Sequence, residues 1–351
     1  MDKIKRVMWG RFEHPATIFV PWDCGHHCPF CTTKAEYATK YPADKIDYFF
    51  ERQKNSVRHL LAYDFVDDIV ITGGEPLADI PRLTELIEVI RRNERSHRNV
   101  YINTSLNLSD RQSDAAIRFL SSSVKDAVDG ISVSLPYADV SMTNARGYEL
   151  LGRFMRECSR EWRYDWIRVN SVVRGNESPE QLRRFVKDIL ALEDGDLPGI
   201  WSINLRKDYT TCTQANLNDS EDPTFRTLMS MKDMPYKGGG GCLVCRNDVF
   251  WPGNDEMHRL IYHRGTESTS LRYGDLMVIN DIVIKQDGEI RYDWRDGAIL
   301  PKCVMDAFCE IEHPAEAEWK WKNPLFSHRL EAQKGLGEMT CRDHPTAERC
   351  G

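Results

Sequence analysis

Three cysteines stand close together in Cys24-Gly25-His26-His27-Cys28-Pro29-Phe30-Cys31, with the spacing C-x3-C-x2-C. Three thiolates on one compact loop form a soft ligand set. A structural zinc would normally take a fourth protein ligand, which His26 or His27 could offer, and its C-x2-C half is usually matched by a second pair further on. No second pair lies nearby. A 4Fe–4S cubane has four irons, so three cysteines leave one iron open to a small molecule, an arrangement for chemistry rather than for structure. His26 and His27 fall at the variable positions of the loop and are expected to face solvent or to sit behind the ligands.

The segments that must position this loop alternate. Strands are predicted at residues 16–22, 66–72, 99–103, 130–135, 167–174 and 200–207, each short and rich in β-branched or apolar residues. Between them, Ile46, Phe49, Phe50, Val57, Leu60 and Leu61 share one helical face, and Leu83, Leu86, Ile87 and Ile90 share another. Ser178, Pro179 and Gln181 supply an N-cap, a first-turn proline and a capping box for a later helix. Cys158 falls in a helical pattern and reads as a small buried hydrophobe. Six strand-then-helix units predict an α/β fold with a parallel sheet and right-handed crossovers, a (βα)6 TIM-like barrel that is closed or partial. A doubly wound open sheet is the competing arrangement. In either, ligands gather at the carboxyl ends of the strands. Beyond about Asp208 the pattern gives way to a Gly238–Gly241 run, scattered Cys and Trp, and a hairpin turning at Gln286-Asp287-Gly288. Two regions are therefore expected, 14–210 as the core and 211–351 as a cysteine- and glycine-containing extension that caps the substrate.

Strand alternation carries a further hint. Asn103 and Ser105, Ser132 and Ser134, Arg168, Asn170 and Arg174, and Ser202, Asn204 and Arg206 share one face, while Ile and Val take the other. The apolar set must meet the helices. The polar set then faces a lumen and needs a polar ligand, water or mutual pairing to offset desolvation. Arg206, Lys207 and Tyr209 leave the sixth strand at its mouth, either to grip a phosphate or carboxylate or as a solvated basic turn.

The cysteine loop, with an aromatic residue just before its last cysteine, resembles the radical S-adenosylmethionine (SAM) superfamily. A second motif agrees: Ile69-Val70-Ile71-Thr72-Gly73-Gly74-Glu75-Pro76 has that family's Gly-Gly-Glu-Pro turn, one helix after the cluster loop. The resemblance covers about residues 14–210. It implies that Cys24, Cys28 and Cys31 ligate three irons and that SAM chelates the fourth. It implies that Phe30 sits against the adenine and that Gly73, Gly74 and Glu75 meet the SAM amino group. Ser134 would hold the ribose or carboxylate, Arg174 or Arg168 would pair with the carboxylate, and the backbone near Asn204 and Leu205 would border the adenine. A one-electron reductant such as a flavodoxin or ferredoxin is implied, and a 5′-deoxyadenosyl radical that takes a hydrogen atom from the substrate. In the extension, Cys242 and Cys245 resemble half of the auxiliary-cluster site of many members, and Cys303 and Cys309 would complete four ligands for a second 4Fe–4S cluster. The alternative is thiols in a loop-rich cap.

Composition narrows the partners. The 351 residues are 41% hydrophobic and 29% charged, as in an ordinary globular protein, and the net charge of −7 lacks the basic footprint of a duplex nucleic acid binder. No apolar run suits a membrane helix or a signal peptide, and eleven cysteines then read as thiols or metal ligands, which points to the cytoplasm. A small nucleotide- or sugar-like molecule is the favoured substrate. A peptide modified by a maturase is the second reading, and a non-catalytic zinc-binding interaction protein the third.

Overall fold

Runs of branched apolar residues at alternate positions build the core. Ile18 and Val20, Ile69 and Ile71, Val100 and Ile102, Ile131 and Val133, Ile167 and Val169, and Ile203 and Leu205 are all buried in one hydrophobic cluster. They belong to six parallel strands: β2 (Pro15–Val20), β3 (Asp68–Gly73), β4 (Asn99–Thr104), β5 (Gly130–Ser134), β6 (Ile167–Val173) and β7 (Ile200–Lys207). The computed structural model describes residues 6–9, 15–22, 24, 28, 31, 42–62, 66–123, 127–135, 145–157, 167–193, 200–208, 222–240, 245–253, 258–265, 270–273, 276–279 and 281–292. Strand limits expected from sequence agree with these to within two residues, because each run is closed by polar or turn-forming residues.

Helices α1 (Ile46–Leu61), α2 (Ile80–Asn93), α3 (Asp110–Arg118), α4 (Ala145–Glu157) and α5 (Pro179–Leu190) fall between consecutive strands. Phe50, Val57, Leu60 and Leu61 of α1 and Leu83, Leu86, Ile87 and Ile90 of α2 enter the same cluster, each large side chain stabilising by about 1.5–3 kcal/mol. Ser178 accepts from the Gln181 amide at the head of α5, and the reciprocal bond completes the capping box expected there. A second box, Ser109 with Gln112, starts α3.

The strand order β2-β3-β4-β5-β6-β7 never reverses, so the sheet is singly wound and has no topological switch point. It is also open. Among the described residues eleven strands run β14 (Ile290–Arg291), β13 (Ile282–Ile284), β2, β3, β4, β5, β6, β7, β10 (Arg259–Gly265), β9 (Cys245–Phe250) and β8 (Tyr236–Gly240), with β14 and β8 as edges of the described sheet, in place of a closed barrel. The extra strands come from beyond residue 211. β8 (Tyr236–Gly240), β9 (Cys245–Phe250) and β10 (Arg259–Gly265) continue the sheet past β7, with β10 parallel to β7 and the other two antiparallel in turn. β13 (Ile282–Ile284) lies parallel to β2 at the other end and forms the expected hairpin with β14 (Ile290–Arg291). A separate three-stranded sheet joins β1 (Arg6–Trp9), β12 (Leu276–Ile279) and β11 (Ser270–Tyr273). The hairpin turn is held close: Gly288 has φ +79, and a Cβ there would lie 2.8 Å from the Arg52 carbonyl carbon in α1. Among the described residues, no helix is long and apolar enough to cross a membrane.

Candidate metal and cofactor site

The cysteine loop leaves β2 at its carboxyl end, beside the turn that leaves β3. Cys24, Cys28 and Cys31 are each partly buried. The Cys31 amide donates to the Cys28 carbonyl at 3.1 Å, closing a turn, and Asn107 Nδ2 donates to the Cys24 carbonyl at 3.3 Å, tying the loop to the segment after β4. Among the described residues no three His, Cys, Asp or Glu side chains form a group able to hold a metal ion. The donor set suits a soft metal in type and spacing, and the thiols must turn towards one another to share one. Phe30, His26 and His27 lie outside the described residues.

The Gly-Gly-Glu-Pro turn is built by its glycines and braced by its glutamate. Gly73 has φ +112, a conformation that a side chain would strain. Glu75 is fully buried, and its backbone carbonyl accepts from Trp22 Nε1 at 2.8 Å, which couples this turn to the end of β2. Its carboxylate accepts from Thr104 Oγ1 at 2.6 Å, Leu77 N at 3.1 Å, Ser105 N at 2.8 Å and Ser105 Oγ at 2.7 Å. Burial pushes its pKa above the ordinary 4.5, and these neutral donors only partly offset that. Four accepted bonds make Glu75 a brace of the turn. Direct contact with a ligand's amino group would displace one of them.

Ser134 is exposed at the carboxyl end of β5, in register with Asn170 of β6. Arg174 follows β6, exposed, with Nε 3.9 Å from Asp208 Oδ2 and its amide held by Glu177. Arg168 lies at the other end of its strand. Its guanidinium stands over the Tyr101 ring at 5.3 Å and the Trp201 ring at 5.1 Å, and Arg259 stands over Trp201 at 5.5 Å. These residues lie in the amino-terminal halves of β4, β6, β7 and β10 and stack together there, at the end of the sheet away from the cysteine loop. Lys207 is also engaged in the scaffold: its Nζ is 3.2 Å from Asp222, which caps α6 (Pro223–Ser230). Tyr209, Cys242, Cys303 and Cys309 lie outside the described residues, and of Cys245 only the backbone, which opens β9, is described.

Asn204 is buried in a chain of side chains that crosses four strands. Its Nδ2 donates to Asn170 Oδ1 at 3.0 Å, its Oδ1 meets His263 Nε2 at 3.1 Å, and His263 Nδ1 meets Asn247 Oδ1 at 2.6 Å. His263 and Asn247 went unnoticed in the sequence because a lone histidine in a strand carries no motif. Their alternation with Tyr262 and Asp248 could have placed each on a strand face, but not beside β7.

Residues 15–144 match the family model of a 4Fe-4S single cluster domain. The matched span holds the three cysteines, the Gly-Gly-Glu-Pro turn and β2 to β5. No curated protein matches the chain. The family match supports an iron–sulfur protein, carried on an open, mostly parallel α/β sheet.

Proposed function

We propose that the chain is a radical SAM enzyme acting on a small nucleotide- or sugar-like molecule. The observation that carries the reading is the adjacency of two turns. The cysteine loop and the Gly-Gly-Glu-Pro turn leave neighbouring parallel strands at the same end, joined by the Trp22 bond to Glu75. The 4Fe-4S family match over the same residues supports it.

Cys24, Cys28 and Cys31 would hold the cluster. Gly73 and Gly74 would offer backbone carbonyls to the amino group of SAM, with Glu75 keeping that turn in shape. Phe30 would lie on the adenine, Ser134 would meet the ribose, Arg174 the carboxylate, and the Asn204 backbone would border the adenine. When bound, the cluster and SAM supply a one-electron reductive cleavage that yields a 5′-deoxyadenosyl radical able to take hydrogen from an unactivated C–H bond. The chain's own task is containment. The Tyr101–Arg168–Trp201–Arg259 stack would narrow one end of the polar face, and the helices cover the opposite face.

Anaerobic reconstitution tests this directly. A brown protein with about four irons is expected, or about eight if Cys242, Cys245, Cys303 and Cys309 hold a second cluster. Dithionite and SAM should then release 5′-deoxyadenosine, and Cys28→Ala should stop the release. A colourless zinc protein, or undiminished release by Cys28→Ala, overturns the reading.

A further inference from the structure

The segment that carries the three cysteines leaves β2 and returns to the fold in α1, and one side chain of α1 reaches back to the point of departure. β2 and β13 run parallel, in register from Ala16 with Ile282 to Ile18 with Ile284. One residue further they part. β2 continues through Trp22 to Cys24, while β13 turns back on itself, with the Lys285 amide donating to the Glu289 carbonyl at 3.0 Å. Where a ladder ends, its backbone carbonyls need another donor. At this fork the Phe19 and Lys285 carbonyls share one: Gln53 Nε2 donates to them at 2.7 and 3.2 Å.

Neighbouring turns of α1 grip the same place. Ser56 Oγ donates to the Gly288 carbonyl in the hairpin turn, and a Cβ on Gly288 would come 2.9 Å from the Gln53 amide nitrogen. Phe50 meets the ring of Trp22, two residues before Cys24, edge-on at 5.9 Å. Residues 50, 53 and 56 are spaced three apart and so share a helix face, which holds the cysteine segment's exit, the fork and the hairpin in turn.

The residue type at the fork is informative. Gln53 is 0% exposed, and its Oε1 has no hydrogen-bond partner. Left unmet, a buried acceptor costs about 1–3 kcal/mol, and a leucine would fill similar space without that cost. What a leucine lacks is the N–H2 group. The two bonds to the fork are therefore what the position requires.

We propose that Gln53 is a positioning residue for the iron–sulfur cluster: it fixes the direction in which β2 enters the cysteine segment, with the β13–β14 hairpin as its second anchor. The assignment rests on the iron–sulfur reading of Cys24, Cys28 and Cys31 and deepens it. It makes the hairpin, which lies outside the six-stranded unit that resembles radical SAM enzymes, part of what brings these thiols to one cluster.

Anaerobic reconstitution of the full chain as wild type, Gln53→Leu, Ser56→Ala and Ser178→Ala tests it. Iron release to a chelator and the electron paramagnetic resonance spectrum of the dithionite-reduced protein are read beside the urea midpoint. Gln53→Leu should release iron about tenfold faster and alter the spectrum, as loss of a group that orients metal ligands does. Ser56→Ala should do the same by a smaller factor. Ser178→Ala, which removes the α5 cap, should lower the urea midpoint but keep wild-type release and spectrum. Wild-type release and spectrum in Gln53→Leu overturn the proposal, as does iron loss in Ser178→Ala that matches its loss of stability. If Gln53→Leu does not fold, Ser56→Ala decides, and unchanged release there overturns the proposal. A wild-type protein that takes up no iron removes the iron–sulfur reading and the proposal with it, and that failure is seen before any variant is compared.

Discussion

Two buried carboxylates, one at each side of the sheet, are neutralised in different ways. Asp248 of β9 meets Arg264 of β10 at 2.5 Å with both side chains at 0% exposure, and the guanidinium also stands over the Phe225 ring at 4.3 Å. Glu75, at the carboxyl end of β3, is equally buried but is met by two hydroxyls and two backbone amides, and among the described residues no cation pairs with it. The first acid has its countercharge inside the chain and serves the scaffold. The second has a pKa raised by burial, and its donors are all neutral. The first arrangement is indifferent to what binds nearby, whereas the second responds to any charge placed beside it.

Breaking the Asp248 pair should have the largest effect. Arg264→Met leaves a buried, uncompensated carboxylate and should lower stability by about 3–5 kcal/mol in urea denaturation, whereas Arg264→Met with Asp248→Leu should recover most of it. A double variant as unstable as the single one would mean that the pair is not the source of the loss.

Glu75 should respond more weakly and through pH. Its folded pKa is raised, so the stability it contributes is full below the ordinary 4.5 and is lost as pH rises through the folded value. Glu75→Gln turns an amide N–H2 towards obligate donors such as Ser105 N and should cost about 1–3 kcal/mol at low pH. It should also flatten the fall in stability above the glutamate range, measured by urea midpoints across pH. In the proposed function the SAM ammonium, held by the Gly73 and Gly74 carbonyls of the same turn, would be the nearby cation that favours the ionised carboxylate. SAM should therefore bind the reconstituted protein more tightly as pH rises through that window, and Glu75→Gln should remove the trend. A pH-independent affinity in the wild-type protein would break the contrast between the two acids.

What could be read from sequence follows the range of the interactions. The six strands and the helices between them were legible because β-branched runs and apolar spacing act within a few residues, as did the Ser178 capping box. Closure was not legible in the sequence. Whether six strand–helix units curl shut depends on what pairs with the outer strands, and here β13 and β10 occupy both outer edges from more than fifty residues away in the chain. Arg168 on the polar face suggested a ligand contact, but two aromatic rings from β4 and β7 enclose it. Arg264 and Asp248 are charged residues in strands, which ordinarily marks a solvent face, and only their cross-strand meeting makes burial tolerable. At the site, the cysteines and the double glycine announced themselves by spacing. Thr104 and Ser105 did not, because their role exists only once β4 lies beside β3.

The site side of the sheet is thus held by many neutral hydrogen bonds, each small, and a cap near Glu75 shows how small. Ser109 accepts the Gln112 amide at the head of α3, and Gln112 Nε2 reaches across to the Ala78 carbonyl at 3.0 Å, in the turn that begins at Glu75. Ser109→Ala should cost about 1 kcal/mol in urea denaturation, as capping residues generally do. Gln112→Ala should cost a similar amount but act at a second place, since it also releases Ala78. Amide exchange distinguishes the two: residues 77–79 should lose protection in Gln112→Ala and keep it in Ser109→Ala. Equal loss in both variants would mean that the turn is held through α3 as a whole, and the neutral side of the sheet would then be as cooperative as the side built on Arg264 and Asp248.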